Sequence, residues 1–211
     1  MANKIIRTPV GKAQWAHLTV ADTKWNPDGE YKVNLVLEAD KAQDLMKQLD
    51  RIQAENYAKA KEENPKKAAK VIDKAPYEEE MNDDGTETGN IVFKFKMKAR
   101  GQTRNGEIFE RRPTLVDGKG KPITNRDFKV GNGSDLAVAF ETVPYFIPAT
   151  NIASVALRMK AVQIVNLLEF GGGETFGFDS YESGFDASSQ NTNNSEEKAD
   201  DFESAAEDHD F

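Results

Sequence analysis

Cysteine is absent from all 211 residues. Disulfides, thiolate metal sites and thiol catalysis are therefore excluded. Histidine is nearly absent too: His17 and His209 are the only two. A zinc centre would need carboxylates to complete its ligands, and no His-Glu-x-x-His pattern occurs. No run of 18 apolar residues exists, so no helix is expected to span a membrane. The opening Met1-Ala2-Asn3-Lys4-Ile5-Ile6-Arg7 lacks the apolar stretch of a signal peptide, which leads us to expect a cytoplasmic protein. Basic charge is scarce at one end. Residues 169–211 hold Lys198 against thirteen Asp and Glu, a net of −12. Residues 1–168 hold 27 Lys and Arg against 23 Asp and Glu, a net of +4. The overall −8 would argue against an anionic partner if the charge were mixed; here it is segregated.

The hydrophobic fraction of 38% is diluted by that acidic end. About 165 residues remain for a body, enough for a sizeable core. Residues 13–21 and 31–38 read as strands joined by the Asn26-Pro27-Asp28-Gly29 turn. In the second, Tyr31, Val33, Leu35 and Leu37 alternate with Lys32, Asn34, Val36 and Glu38, so one face is buried. In the first, Leu18 and Val20 define the apolar side, leaving Trp15 and His17 on the other. Residues 40–63 read as a helix with Asp40 as N-cap. Its apolar side is Ala42, Leu45, Met46, Leu49, Ile52, Tyr57 and Ala60, and Asn64-Pro65 stops it. A lysine-rich segment (Lys66, Lys67, Lys70) and a loop over 76–90 follow.

Residues 91–100 are the clearest strand, with Phe93, Phe95 and Met97 opposite Lys94, Lys96 and Lys98. Arg104-Asn105-Gly106 reads as a hairpin turn and 107–116 as the returning strand, carrying Arg111 and Arg112. Asp117-Gly118-Lys119-Gly120-Lys121-Pro122 is a basic loop, and Gly131-Asn132-Gly133 a turn. Leu136, Val138 and Phe140 share a strand face. Residues 153–170 form a long apolar strand or a bent pair, and Gly171-Gly172-Gly173 ends the body. From about residue 174 the composition cannot offset the entropy of ordering, so disorder is expected. No βαβ alternation recurs. Five or six antiparallel strands with one inserted helix close most economically as a small barrel.

Between residues 88 and 168 there are 13 basic and six acidic residues. Lys94, Lys96 and Lys98, with Arg100, Arg104, Arg111, Arg112, Lys119, Lys121, Arg158 and Lys160, form a stripe that can follow phosphates without reading bases. Aromatic residues at strand ends supply stacking platforms for single-stranded nucleic acid, whose base faces are open. Trp15 and Tyr145 are the candidates, Tyr145 being fixed in Val143-Pro144-Tyr145-Phe146-Ile147-Pro148. Tyr31, Phe93, Phe95 and Phe140 read as core. Glu78-Glu79-Glu80 and Asp83-Asp84 read as a solvated loop rather than a cation site, and Asp83-Asp84-Gly85 lacks the other calcium-loop ligands. The glycine runs have no phosphate-loop spacing. No catalytic set and no cofactor is called for. The acidic end can mimic a phosphate backbone and cover the basic stripe, at the high effective concentration of a tethered segment. Its expected partner-binding residues are Glu196, Glu197, Asp200, Asp201, Glu203, Glu207, Asp208, Asp210 and the terminal aromatic Phe211.

Tyr31-Lys32-Val33-Asn34-Leu35, Asp84-Gly85-Thr86 with Phe93-Lys94-Phe95-Lys96, Val143-Pro144-Tyr145, and Leu168-Glu169-Phe170-Gly171-Gly172-Gly173-Glu174 occur in this order, followed by an acidic end closing on Asp210-Phe211. In this combination the chain resembles the acidic-tailed single-stranded DNA-binding proteins of podovirus-type (Autographiviridae-like) phages. The resemblance covers nearly the whole chain. It implies a mostly β, five-stranded antiparallel OB-fold barrel with an inserted helix, spanning residues 1–173, and a flexible acidic tail over 174–211. It further implies a homodimer in the cytoplasm of an infected bacterial host, binding and annealing of single-stranded DNA, and roles in replication, recombination and repair. Tail contacts with the phage DNA polymerase and helicase-primase are implied as well, with Phe211 matching the family's terminal phenylalanine and Tyr145 its DNA-contacting tyrosine. The chain departs from the family at Asp28, where an arginine can stand, and at Ala137 and Ala139, where lysines can. Arg111, Arg112, Lys119 and Lys121 are expected to compensate. The alternative is a DNA-mimicking protein-interaction module with little DNA affinity of its own.

Overall fold

The computed structural model describes residues 4–103 and 105–169. The expected hinge at 171–173, disorder from 174 and the partner-binding residues lie outside the described residues. The strands are β1 (Ile6–Arg7), β2 (Gly11–Asp22), β3 (Glu30–Glu38), β4 (Ile72–Asp73), β5 (Glu78–Met81), β6 (Glu87–Lys98), β7 (Arg100–Gln102), β8 (Ile108–Glu110), β9 (Thr114–Val116), β10 (Asp135–Ile147) and β11 (Ile152–Asn166). Helix α1 (Ala39–Glu63) is inserted between β3 and β4, followed by a 3-10 turn over Pro65–Lys70. The described chain is thus mostly β with one long helix.

The period-two patterns decide the sheet. β3 and β6 run antiparallel with Tyr31 opposite Met97, Val33 opposite Phe95 and Leu35 opposite Phe93. All six side chains are buried. The intervening positions pair Lys32 with Lys96 and Asn34 with Lys94 on the outer face. β2 pairs with β3, β6 with β11, and β11 with β10. β10 then returns to β2 at Asp135–Lys12 and Leu136–Gly11. Phe95 and Phe140 meet at the centre of the core with ring centroids 5.0 Å apart. Ala42, Leu45 and Leu49 of α1 join this core, while Ala60 joins a smaller cluster with Val71 and Ala153.

Several expectations are corrected. The pairing is not wholly antiparallel: β11 runs parallel to β4, β6 and β9. The helix N-cap is Glu38, without a side-chain cap, and Asp40 sits in the first turn, where its charge complements the helix dipole. The helix also buries Gln53 and Asn56, which no apolar pattern reveals, because each donates to backbone carbonyls of the sheet. Residues 76–90 are not a loop but hold β5 and the start of β6. The segment 107–116 is two short strands, β8 pairing with β7 and β9 with β11. Residues 153–170 resolve into the single strand β11, ending at Asn166. Val20 is exposed, since a register shift after Gln14 and another before Asp22 break the alternation of β2. The Asn26–Gly29 turn forms as expected, closed by the Gly29 N–H donating to the Asn26 carbonyl over 2.9 Å.

Phe95 is fully buried between β3, β11 and Phe140. Phe95→Ala is expected to lower unfolding free energy by about 3–5 kcal/mol, read from the midpoint shift in urea at unchanged slope.

Candidate nucleic-acid interface

Because Phe93, Phe95 and Met97 face the core, Lys94, Lys96 and Lys98 must face outward. The parallel neighbour β11 is in phase, with Arg158 opposite Lys96. A groove of about 400 Å³ runs along this surface. Its walls include Lys94, Lys96, Lys98, Arg111, Tyr145, Arg158 and Lys160, seven of the thirteen residues expected to contact DNA. With Lys74, the lining carries seven cations against the two carboxylates Glu30 and Glu78.

Most of these cations rest against carboxylates. Lys94 pairs with Glu78 and Lys96 Nζ with Glu30 Oε1 at 3.1 Å. Arg158 and Lys160 share Glu141 Oε1, each at 3.1 Å. Burial works to raise the Glu141 carboxyl, yet the Lys160 and Arg158 cations outweigh it and hold it below the ordinary carboxylate range. The exposed pairs, Lys94–Glu78 and Lys96–Glu30, contribute only about 0–1 kcal/mol each. A phosphate can therefore replace a carboxylate at small cost.

Tyr145 is about one-third exposed at the groove wall. Its backbone is held from beneath: Asn56 Nδ2 donates to the Tyr145 carbonyl at 3.1 Å and to the Ser154 carbonyl at 2.9 Å. Ser154 is the β11 partner of Tyr145, so one helix side chain locks both strands. Tyr77 forms another part of the lining. Its ring lies 5.8 Å from Phe93, and its hydroxyl donates to Asp50 Oδ1 at 2.8 Å. Burial, then the Asp50 carboxylate, push this phenol up to about 12, so it stays neutral.

The remaining expected residues are placed elsewhere. Arg100 pairs with Glu110 across the β7–β8 hairpin. Arg112 is exposed outside the lining, next to the groove's Arg111, whose guanidinium carbon lies 4.2 Å from the Phe109 ring centroid. Lys119 and Lys121 belong to a turn whose backbone N–H groups donate to Asp117 Oδ1. That turn is tied to Gln163, about 16 Å along β11 from Arg158 at the rise of a strand. Arg104 lies outside the described residues. Trp15 lines a second cleft, on β2. Asp84 accepts from the Thr86 hydroxyl and N–H and so closes a turn. Among the described residues no cluster of three or more His, Asp or Glu could hold a metal.

Sequence reasoning missed Lys32, Lys74 and Tyr77. The alternation of β3 already put Lys32 on the outer face; in space it links His17 on β2 to Lys96 on β6. Lys74 and Tyr77 reach the groove only through tertiary placement, and no local pattern marks them.

The family model described as single-stranded DNA-binding protein, bacteriophage T7, matches residues 10–167. The single-stranded DNA-binding protein of Escherichia phage T7 is 34% identical over 192 residues, covering 82% of this chain and 81% of that protein. The corresponding protein of Enterobacteria phage T3 is 37% identical over 161 residues, covering 70% and 66%. Among solved structures, the crystal structure of gp2.5, a single-stranded DNA-binding protein encoded by bacteriophage T7, matches with a TM-score of 0.69 and 30% identity. It covers 88% of this chain and 100% of that one.

Lys32 is tied to Asp22, whose carboxyl is drawn down from 3.8 to about 2, first by the Lys32 ammonium and then by the Lys24 N–H. A depressed carboxyl stabilises the fold above its ordinary range, and that contribution is lost as pH falls through about 2. Carboxyl-carbon NMR is expected to give an Asp22 midpoint near 2, and Lys32→Ala to move it upward.

Proposed function

Since the chain belongs to the single-stranded DNA-binding protein family of bacteriophage T7, a non-catalytic family, we propose that it binds single-stranded DNA, largely without sequence preference, during phage DNA replication. The observation that carries this reading is the groove between β6 and β11, where seven cations, Tyr145 and Tyr77 line one surface. Phosphates exchange with the resident carboxylates, released counterions drive association, and bases stack on Tyr145. Duplex DNA binds less well because its base faces are already stacked.

The finer assignments rest on the same reading. The ring of pairings β2–β3–β6–β11–β10–β2 supports a five-stranded OB barrel over residues 1–173. The acidic stretch 174–211 acts as a tail that competes with DNA for the groove. When DNA displaces it, Phe211 and the carboxylates around it recruit the polymerase and helicase-primase. A homodimer in the infected host's cytoplasm, strand annealing, recombination and repair complete the proposal. Charge segregation along the chain is what supports the tail's competing role.

Equilibrium binding to labelled oligo-dT and its duplex control tests this, using the full chain and residues 1–190 across a range of salt. Single-strand preference, steep weakening with salt and tighter binding by 1–190 are expected. Absence of binding by either form would refute DNA binding. Equal affinities at low salt would refute the competing tail alone. Tyr145→Ala is expected to weaken single-strand binding by about 1–3 kcal/mol, with an unchanged thermal melt.

A further inference from the structure

Trp15 and Trp25 are the only tryptophans in the chain. Both stand in solvent, at 67% and 85% exposure, as does Val20 at 69%. Exposed apolar surface of this kind, rimmed by polar groups, marks an interaction site. Trp15, Val20 and Ala21 line a cleft of about 630 Å³ together with His17, Lys24 and Lys129. Lys24 Nζ also stands 5.4 Å from the Trp25 ring centroid, tying the second indole to the rim.

The backbone spends conformational strain to present Trp15. Ala13 is fully buried, so regular alternation would turn Trp15 toward the core as well. A bulge between Gln14 and His17 adds one residue to β2 and re-aims the indole outward. Trp15 adopts φ +53, an unusual conformation for a bulky side chain. Asn132 fixes it there, its Oδ1 accepting the Trp15 N–H at 2.8 Å. Strain of this sort persists where the surroundings over-determine it, and it clusters at ligand sites.

The cleft also lies in line with the groove. Strand register sets Arg158 beside Lys96, Lys96 beside Lys32, and Lys32 beside His17. Three inter-strand steps cover about 14 Å. The carboxylate in the cleft lining, Asp22, is paired with Lys32.

Resting on the DNA-binding reading above, we infer that the Trp15–Trp25 cleft is a second base-stacking site for the same single strand. The strand crosses β11, β6, β3 and β2 along the cationic row, with bases held at the Tyr145 end and at the tryptophan end. Lys24 and Lys129 meet the phosphates that flank the stacked bases.

The test uses the full-length protein and 1–190 with oligo-dT from about 4 to about 16 nucleotides, the span of OB-fold sites. Because one indole lines this cleft and the other stands beside its rim residue Lys24, tryptophan emission reports on this end without mutation, while anisotropy of the labelled strand reports binding anywhere. Long strands are expected to quench the emission. A Trp15→Ala, Trp25→Ala double variant is expected to bind them at least about fivefold more weakly, the lower end of one base stack, with the loss shrinking as the strand shortens. Trp15→Phe should keep most of the Trp15 share. Emission that stays constant while anisotropy saturates, or a double variant that matches the parent at every length, overturns the second site and leaves the groove standing. A loss equal at all lengths overturns the crossing path. No anisotropy change in either parent protein removes the DNA-binding reading and this inference with it.

Discussion

The pairing of β3 with β6 is the constraint on which the remainder of the described structure depends. Its nine register pairs set an unbroken apolar row against the core and, on the other face, a polar row that only the buried Val36–Val92 pair interrupts. A slip of one residue would exchange the two faces, burying Lys94, Lys96 and Lys98 and exposing Phe93 and Phe95. The burial of uncompensated ammonium groups makes that slip prohibitive. Core and candidate interface are thus two sides of one decision, and neither can drift without the other. β11 joins in the same phase, so its own cations fall beside those of β6 rather than opposite them.

Much of this was legible in the sequence because period-two alternation is a local signal. The faces of β3 and β6, the Asn26–Gly29 turn and the extent of α1 all follow from short windows. The basic strip of β6 and the placement of Tyr145 between prolines were readable for the same reason. What was not legible depends on contacts between distant segments. The parallel pairings of β11 leave no local trace. Gln53 and Asn56 look like ordinary surface residues of a helix, yet they are buried because sheet carbonyls need donors. The bulge at Trp15 cannot be read from β2, since the acceptor that stabilises it comes from Asn132. Lys119 and Lys121 were grouped with the other cations by composition, and the turn that holds them sits far along β11.

The electrostatics of the groove are those of a surface prepared for exchange. Lys94 and Lys96 each have a carboxylate close at hand, which reduces the self-repulsion of the empty surface. The same pairs are too weak to hold a cation against a phosphate. Glu141 differs. It is buried and engages two cations at once, so Arg158 and Lys160 are oriented as a unit. Local charge is therefore partly offset without being locked, except where orientation matters. Rigidity comes from beneath, through Asn56 and the Asp50–Tyr77 hydrogen bond, rather than from the ion pairs themselves.

The return of β10 to β2 has a kinetic meaning. That junction rests on two register pairs, helped by the Ala13 N–H donating to the Ser134 carbonyl and the Gly133 N–H donating to the Ala13 carbonyl. It joins segments near opposite ends of the described chain, so its loop-closure entropy is met only after the other ladders exist. Gly11 fits there because a Cβ would stand 2.5 Å from the Val36 carbonyl oxygen, leaving no slack to strengthen the contact with a side chain. The β6–β11 junction is equally short, but it joins segments closer in sequence, so the β10–β2 joint is the last to form and the first to open. Amide hydrogens on either side of it exchange through local opening long before those of β3 and β6.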